Sequence, residues 1–230
     1  MINKEIITDL FFDLDHTLWD FEKNSALTFE QLLEDHQIPI RLEDFLKVYV
    51  PLNLEYWKAF REQRMDKDTL RYRRIKDTFD CLKFSIDDDM VYNLADAYIQ
   101  NLPEYNHLFP GVIEVLDKLK EGYSLHIITN GFREVQRFKM RNAGLSPYFN
   151  TVTDSESVGV KKPNPLIFQK ALSDANCDPA SSVMIGDSYE ADIIGALQVG
   201  MNAIHYMPLV KKHPEDYQEI ENISELNFLF

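Results

Sequence analysis

The sequence predicts an α/β fold in which a small all-α domain is inserted into a Rossmann-like, doubly wound parallel sheet. Three observations predict it. After Pro103, short apolar runs typical of strands alternate with helical patterns of about 10 to 15 residues, which is the order of a parallel sheet. From about Phe21 to Leu102, apolar residues instead recur at helical spacing. An apolar run before residue 13 supplies the first strand, so the helical segment interrupts the sheet.

The first strand comes from apolar residues between 6 and 12 and ends at two carboxylates, Asp13 and Asp15. Open parallel sheets place their ligand sites at this carboxyl edge. Side chains alternate along a strand, so both carboxylates project to the same side if the chain stays extended that far. Because two like charges this close repel, the pair requires a cation, a separation of its two pKa values, or both. The alternative is a solvated strand end in which an Asp caps a helix.

The helical segment contains about four helices, because three polar breaks interrupt its apolar pattern. We predict that residues 1–19 and 104–230 form the α/β core domain and that residues 20–103 form a helical cap domain. The helical segment also carries a basic cluster, which consists of Arg61, Arg64, Lys67, Arg71, Arg73, Arg74 and Lys76. We predict that this cluster is a solvated surface paired with nearby acids, and the alternative is a role in substrate binding.

The second half of the chain places three further polar motifs next to predicted strands. The predicted strands cover residues 125–129, 149–152, 182–185 and 203–206. The motifs are Thr129-Asn130-Gly131, Lys161-Lys162-Pro163 and Gly186-Asp187-Ser188-Tyr189-Glu190-Ala191-Asp192. Because the carboxyl ends of parallel strands meet at one edge of a sheet, we expect these motifs to converge with the two carboxylates after the first strand.

The composition is that of an ordinary globular protein, with 45% hydrophobic and 27% charged residues. A net charge of −14 argues against a nucleic acid polymer as partner, because such binding needs Lys and Arg to neutralise phosphates. The sequence has no apolar run long enough to cross a membrane, and Asp9 and Asp13 interrupt the order typical of a signal peptide. We therefore expect a cytoplasmic monomer or homodimer, and any anionic substrate must be small and held by a local positive site.

Four motifs, in this order, resemble those of the haloacid dehalogenase superfamily of phosphohydrolases, and the resemblance covers essentially the whole chain. They are DLDHT at Asp13 to Thr17, TNG at Thr129 to Gly131, KKP at Lys161 to Pro163 and GDSYEAD at Gly186 to Asp192. A helical insert between the first two motifs corresponds to the type-one cap of that family. His16 departs from the family pattern, in which Gly, Asp or Glu is more usual at this position.

The resemblance assigns chemistry to the carboxylates. It implies that Asp13 attacks phosphorus to give an aspartyl-phosphate, and that Asp15 protonates the leaving alcohol and later takes a proton from water. It also implies that Asp13, the backbone carbonyl of Asp15 and Asp187 hold Mg²⁺, a cation that suits a site made of oxygens. Asp192 would lie behind this set and orient Lys162 or a metal-bound water.

The resemblance assigns phosphate binding to the two central motifs. Lys162, directly before Pro163, would pair with the phosphate and with Asp13, and Lys161 is the alternative because the lysine is doubled. Thr129 would donate its hydroxyl to a phosphoryl oxygen. The backbone N–H groups of Asn130 and Gly131 would bind the substrate at a helix N-terminus.

The resemblance implies an Mg²⁺-dependent phosphatase that acts on a small phosphorylated metabolite. Longer strings, among them Leu18 to Phe21, look like the branch that contains bacterial pyrimidine 5′-nucleotidases. In that interpretation Trp19 and Phe21, with Tyr56 or Trp57, form an apolar wall that stacks a base; the alternative is that these aromatics pack internally. Other candidates are a sugar-phosphate phosphatase or phosphomutase, a 2-haloacid dehalogenase, which Asp15 disfavours, and a non-catalytic binding protein.

Overall fold

The computed structural model describes residues 2–207 and 217–230, and the chain divides into two compact units. The core unit comprises Met1–Phe21 with Asn106–Phe230, and the helical unit comprises Glu22–Tyr105. The sequence placed the boundaries at 19/20 and 103/104, whereas these units meet at 21/22 and 105/106. Among the described residues, no helix is both long and apolar enough to cross a membrane.

The predicted helical insert is confirmed, and within residues 22–105, all of which are described, it is built on four helices. These are α1 (Phe21–Asp35, which begins one residue earlier), α2 (Leu42–Arg61), α3 (Lys67–Cys81) and α4 (Asp88–Asn101). Two of them begin at aspartates: the Asp66 side chain accepts from Thr69 N, and the Asp87 side chain accepts from Met90 N. The interior is aromatic, with the ring of Phe29 against those of Phe45, Tyr49 and Tyr98.

The basic cluster is partly a solvated surface. Arg71 pairs with Asp96 at 2.6 Å, Arg73 pairs with Asp77 at 2.8 Å, and further ion pairs join Arg64 to Glu62 and Lys76 to Asp80. Arg74 differs from the prediction because it is only 1% exposed and its guanidinium lies 4.7 Å from the centre of the Tyr98 ring. It occupies the apolar face of α3, beside Leu70 and Thr78 at helical spacing, where an aromatic ring replaces solvent.

The predicted doubly wound parallel sheet is confirmed. In the described part of the chain it has six strands, all parallel, in the spatial order 3-2-1-4-5-6. They are β1 (Asp9–Phe12), β2 (Ser124–Thr129), β3 (Thr151–Asp154), β4 (Ser182–Gly186), β5 (Asn202–Tyr206) and β6 (Gln218–Ile220). The strand β1 is buried over its whole length and pairs with β2 on one side and with β4 on the other, so its end lies between the ends of these two strands.

Two strands differ from the sequence prediction. β3 covers Thr151–Asp154 rather than residues 149–152, because the Asn150 side chain takes up the N–H of Leu125 before the regular ladder begins. β6 was not predicted, since its three residues are too few and too polar to produce an apolar pattern.

The core helices cover the sheet and lead away from its carboxyl edge. They are α5 (Val112–Leu119), α6 (Arg133–Asn142), α7 (Ser155–Val158), α8 (Pro165–Ala175), α9 (Gly195–Gln198) and α10 (Leu226–Leu229). A π-helical turn, Tyr189–Ile194, runs directly into α9. On one side of the sheet Phe11 and Ile128 pack against Phe168 of α8, which fixes the first helical turns at that edge.

A buried polar network joins three strands. His126 in β2 contacts Asp9 Oδ1 of β1 through Nε2 at 3.0 Å and Thr151 Oγ1 of β3 through Nδ1 at 2.8 Å. The Thr8 hydroxyl donates to the other Asp9 oxygen at 2.6 Å, and the Phe11 ring stacks on the imidazole at 4.6 Å. Burial lowers the pKa of His126, although Asp9 opposes this shift, so the folded state favours the neutral imidazole.

We predict that His126→Phe lowers the free energy of unfolding by about 1–3 kcal/mol, because it removes the partner of one oxygen of the buried Asp9 carboxylate. The folded pKa of His126 lies below its ordinary value of 6.5, so the unfolded chain takes up a proton first as the pH falls. The difference between wild type and variant should therefore be largest near pH 7.5 and smaller at pH 5.5. Urea unfolding at both pH values measures it, and equal stabilities at pH 7.5 would contradict the prediction.

Candidate active site

The chain leaves the extended conformation directly after the first candidate carboxylate. Asp13 still pairs with the sheet, since its N–H donates to Ile185 O at 2.9 Å. The chain then turns, and the N–H groups of both Leu18 and Trp19 donate to Leu14 O. A turn, rather than strand alternation, therefore sets the direction of the second carboxylate, Asp15.

His16 takes a left-handed backbone conformation in this turn, with φ of 64°. Residues with a Cβ atom rarely adopt this conformation, whereas Gly does so without strain and Asp or Asn does so more readily than most. The family pattern of Gly, Asp or Glu at this position thus has a partial backbone explanation. The His16 ring lies 4.9 Å from the Phe21 ring, and burial lowers the pKa of the imidazole.

Lys162 lies at the centre of the carboxyl edge. Its ammonium is 2.8 Å from Asp13 Oδ1 and 2.7 Å from Asp192 Oδ1, and it donates to Ile128 O at 2.7 Å. Burial opposes the charge, but the two carboxylates outweigh it and raise the pKa of Lys162 above its ordinary value. Of the two adjacent lysines, the structure thus puts Lys162 against the candidate nucleophile.

The Asn130 side chain holds the backbone on which Lys162 stands. Its Oδ1 accepts from Lys162 N at 2.8 Å, and its Nδ2 donates to Lys162 O at 3.0 Å. The sequence assigned substrate binding to the backbone of Asn130 and gave this side chain no role. The neighbouring Gly131 N–H donates to Thr129 Oγ1 at 3.1 Å, so Thr129 begins the turn that leads into α6.

Three carboxylates converge beside Lys162. One oxygen from each of Asp13, Asp187 and Asp192 lies within 4.8 Å of the others. Burial, partly opposed by Lys162, raises the pKa of Asp13 to about 7 and that of Asp187 well above its usual range. Asp192 is fully buried and accepts from Ser188 N at 3.0 Å. Since one ammonium cannot balance three acids, and all the donors are oxygens, these residues fit Mg²⁺.

Two side chains of α6, which the sequence interpretation missed, hold the Asp15 carboxylate. Gln136 Nε2 donates to Asp15 Oδ2 at 2.8 Å, and Lys139 Nζ donates to Asp15 Oδ1 at 2.6 Å. Gln136 Nε2 also lies 2.8 Å from Thr129 Oγ1. The available signal was a pair of polar residues on the buried stripe of α6, between Val135 and Met140.

Trp19 and Phe21 lie beside this pair rather than at a free surface. Trp19 has no exposed surface and Phe21 is 7% exposed. The Lys139 ammonium lies 4.1 Å from the centre of the Trp19 ring system and 5.2 Å from that of Phe21. These two rings are therefore buried beside a lysine, as in the alternative of internal packing, and their stacking on a base stays a prediction.

The comparison with known families agrees with this geometry. The family of haloacid dehalogenase-like hydrolases matches residues 10–206, which spans all four motifs. The chain belongs to this family. Its relatives include the pyrimidine 5′-nucleotidase PynA of Streptococcus pneumoniae, 32% identical over 94% of this chain and 90% of that protein. They also include a glyceraldehyde 3-phosphate phosphatase of Pyrococcus abyssi, 33% identical over 87% of this chain and 82% of that protein.

A solved structure extends the similarity to the fold over nearly the whole chain. The haloacid dehalogenase-like hydrolase YfnB of Bacillus subtilis, crystallised with bound magnesium, has a TM-score of 0.88 and 29% identity. The match covers 97% of this chain and 98% of that one. This haloacid dehalogenase-like hydrolase thus shares its fold with a protein that binds magnesium, and magnesium is the cation that fits the cluster of Asp13, Asp187 and Asp192.

We predict that Mg²⁺ stabilises the wild-type protein and not Asp187→Asn, because the variant removes one ligand and one buried charge. At a concentration 100 times Kd, one bound ion adds about 2.7 kcal/mol to the free energy of unfolding. The stabilisation should be weaker at pH 6 than at pH 8, since protons compete for Asp13 below its pKa of about 7. Thermal unfolding with and without Mg²⁺ measures this, with Asp174→Asn on the exposed face of α8 as the control; an equal Mg²⁺ shift in Asp187→Asn would contradict it.

Proposed function

We propose that this haloacid dehalogenase-like hydrolase is an Mg²⁺-dependent phosphatase that works through an aspartyl-phosphate on Asp13. The observation that carries the proposal is the buried Lys162 ammonium 2.8 Å from Asp13, next to a second carboxylate, Asp15, that side chains of α6 hold in place. A nucleophile, a cation for the phosphate and a proton donor are thereby assembled at one edge of the sheet. A non-catalytic binding protein would not need the second carboxylate.

The proposed reaction has two displacements at phosphorus. In the first, an Asp13 oxygen forms a bond to phosphorus while the bond to the leaving alcohol breaks, and Asp15 gives the alcohol oxygen a proton. In the second, Asp15 takes a proton from water, the water oxygen bonds to phosphorus, and the bond to Asp13 breaks to release inorganic phosphate. Lys162 and the Thr129 hydroxyl stabilise the phosphoryl oxygens in both steps.

The metal site belongs to the same proposal. Asp13, Asp187 and the backbone carbonyl of Asp15 would hold Mg²⁺, and the bound cation would offset the repulsion between the anionic nucleophile and the anionic phosphate. Asp192 would keep Lys162 charged and in place, since it is fully buried and 2.7 Å from that ammonium. These carboxylates depend on one another, because the negative charge of one makes it less favourable for its neighbours to be ionised.

We further propose that the substrate is a nucleoside 5′-monophosphate with a pyrimidine base. The support is the similarity to PynA, which covers nearly the full length of both chains. A small sugar or triose phosphate is the second candidate, because a glyceraldehyde 3-phosphate phosphatase is about equally similar in sequence. Both candidates carry the same phosphate group, so they differ only in how the enzyme binds the base or the sugar.

We predict that Asp13→Asn abolishes phosphatase activity while the protein stays folded. The amide keeps the shape of the side chain but removes the attacking charge, and losses of several powers of ten are usual for such a nucleophile. Steady-state hydrolysis of p-nitrophenyl phosphate with Mg²⁺ measures it, with circular dichroism for the fold and Asp174→Asn as the control. More than about a tenth of wild-type turnover in Asp13→Asn would overturn the aspartyl-phosphate mechanism.

We predict that kcat/KM for UMP or dTMP exceeds that for glyceraldehyde 3-phosphate and glucose 6-phosphate by about fivefold to a hundredfold. A base that stacks in the enzyme contributes roughly 1 to 3 kcal/mol that a sugar phosphate lacks. Phosphate release from each compound under saturating Mg²⁺ measures the ratio. Faster turnover of the triose or sugar phosphates would replace the nucleotidase proposal. Isomerisation of β-glucose 1-phosphate in place of phosphate release would indicate a phosphomutase.

A further inference from the structure

We propose that Lys139 and Gln136 are positioning residues that hold the Asp15 carboxylate in the orientation needed for proton transfer. The Trp19 ring in turn holds the Lys139 ammonium through a cation–π contact. The inference deepens the proposed function and rests on Asp15 acting as the proton donor. It concerns residues outside the four motifs, on the buried face of α6.

The two side chains control both oxygens of the carboxylate. Lys139 Nζ holds Oδ1 at 2.6 Å and Gln136 Nε2 holds Oδ2 at 2.8 Å, so the orientation of the Asp15 side chain is set by α6. Gln136 and Lys139 are three residues apart and therefore lie on the same helix face. Each carboxylate oxygen has a second lone-pair direction, so one bond to each leaves Asp15 able to carry the proton it transfers.

The Lys139 ammonium is itself held in place from the other side. Its side chain is 3% exposed, and the faces of Trp19 and Phe21 lie 4.1 and 5.2 Å from the charge. Aromatic faces attract a cation, and this attraction is strongest where water is excluded. Burying a lysine is costly unless an anion accompanies it. The burial of the Lys139 ammonium is therefore better explained by its ion pair with Asp15 than by the packing of its apolar stem.

Gln136 connects the proton donor to the phosphate side of the site. Its Nε2 lies 2.8 Å from both Asp15 Oδ2 and Thr129 Oγ1, the hydroxyl assigned to a phosphoryl oxygen. The spacing between the Asp15 carboxylate and the Thr129 hydroxyl is thereby fixed through one amide nitrogen. A displacement of about 1 Å in such a group can cost about a hundredfold in rate.

The test compares substrates that differ in their need for a proton. Lys139→Met keeps the apolar stem and removes the charge. We expect kcat/KM to fall about 10- to 100-fold for the alkyl phosphate that wild type hydrolyses best among UMP, glyceraldehyde 3-phosphate and glucose 6-phosphate. For p-nitrophenyl phosphate, whose leaving group needs little protonation, we expect a fall of less than about threefold. Lys170→Met, an exposed lysine of α8 that pairs with Asp174, is the matched control and should change neither value.

A second comparison separates positioning from a structural role. In an Asp15→Asn background, Lys139→Met should lower kcat/KM by less than about twofold, because the group it positions is already inactive. Gln136→Met keeps length and removes the donor to both Asp15 and Thr129, so it should lower kcat/KM for both substrates but more for the alkyl phosphate; it serves as the second variant if Lys139→Met does not fold. Equal losses on both substrates, or losses that multiply with Asp15→Asn, would overturn the inference. A wild-type protein that releases phosphate from none of these compounds would instead overturn the proposed function.

Discussion

One buried ammonium organises the carboxyl edge of the sheet. Lys162 lies between Asp13 and Asp192 and also bonds to the carbonyl of Ile128 at the end of β2. Without it, carboxylates from the ends of β1 and from the π-helical turn would face each other in a buried space, and leaving such charges unpaired costs about 3–5 kcal/mol. Asn130 holds the backbone of Lys162 at both N and O, so the loops after β2 and β3 are fixed together around this charge.

This arrangement would allow a protein with a net charge of −14 to bind the anionic substrate proposed above. The positive charge of the candidate site comes from two side chains, Lys162 and Lys139, that are both almost completely buried. Each pairs with an acid of the first motif, Asp13 or Asp15. The buried carboxylates also repel one another. This repulsion favours the binding of a divalent cation among the oxygens of Asp13 and Asp187.

Much of this could be predicted from the sequence, because periodicity identifies strands and parallel strands bring their ends together. That reasoning was sufficient for the sheet, for the helical insert and for the convergence of the Lys161-Lys162-Pro163 motif with Asp13, whereas the choice of Lys162 came from the resemblance to the family. It could not identify Gln136 and Lys139, because which face of α6 meets the turn after β1 is a tertiary property. The buried Arg74 was missed for a related reason, since its neighbours in the sequence are solvated cations. β6 is too short for any pattern to be seen.

Gly131 carries a constraint that its backbone does not reveal. It is not among the glycines with positive φ, so another residue could take its conformation without strain. A Cβ atom there, however, would lie 2.3 Å from Gln136 Nε2. A side chain at residue 131 would therefore displace the Gln136 side chain, and the amide contact with Asp15 and Thr129 would be lost. The glycine of the second motif therefore leaves room for the Gln136 amide, and the size of residue 131 is tied to the contact between α6 and the first motif.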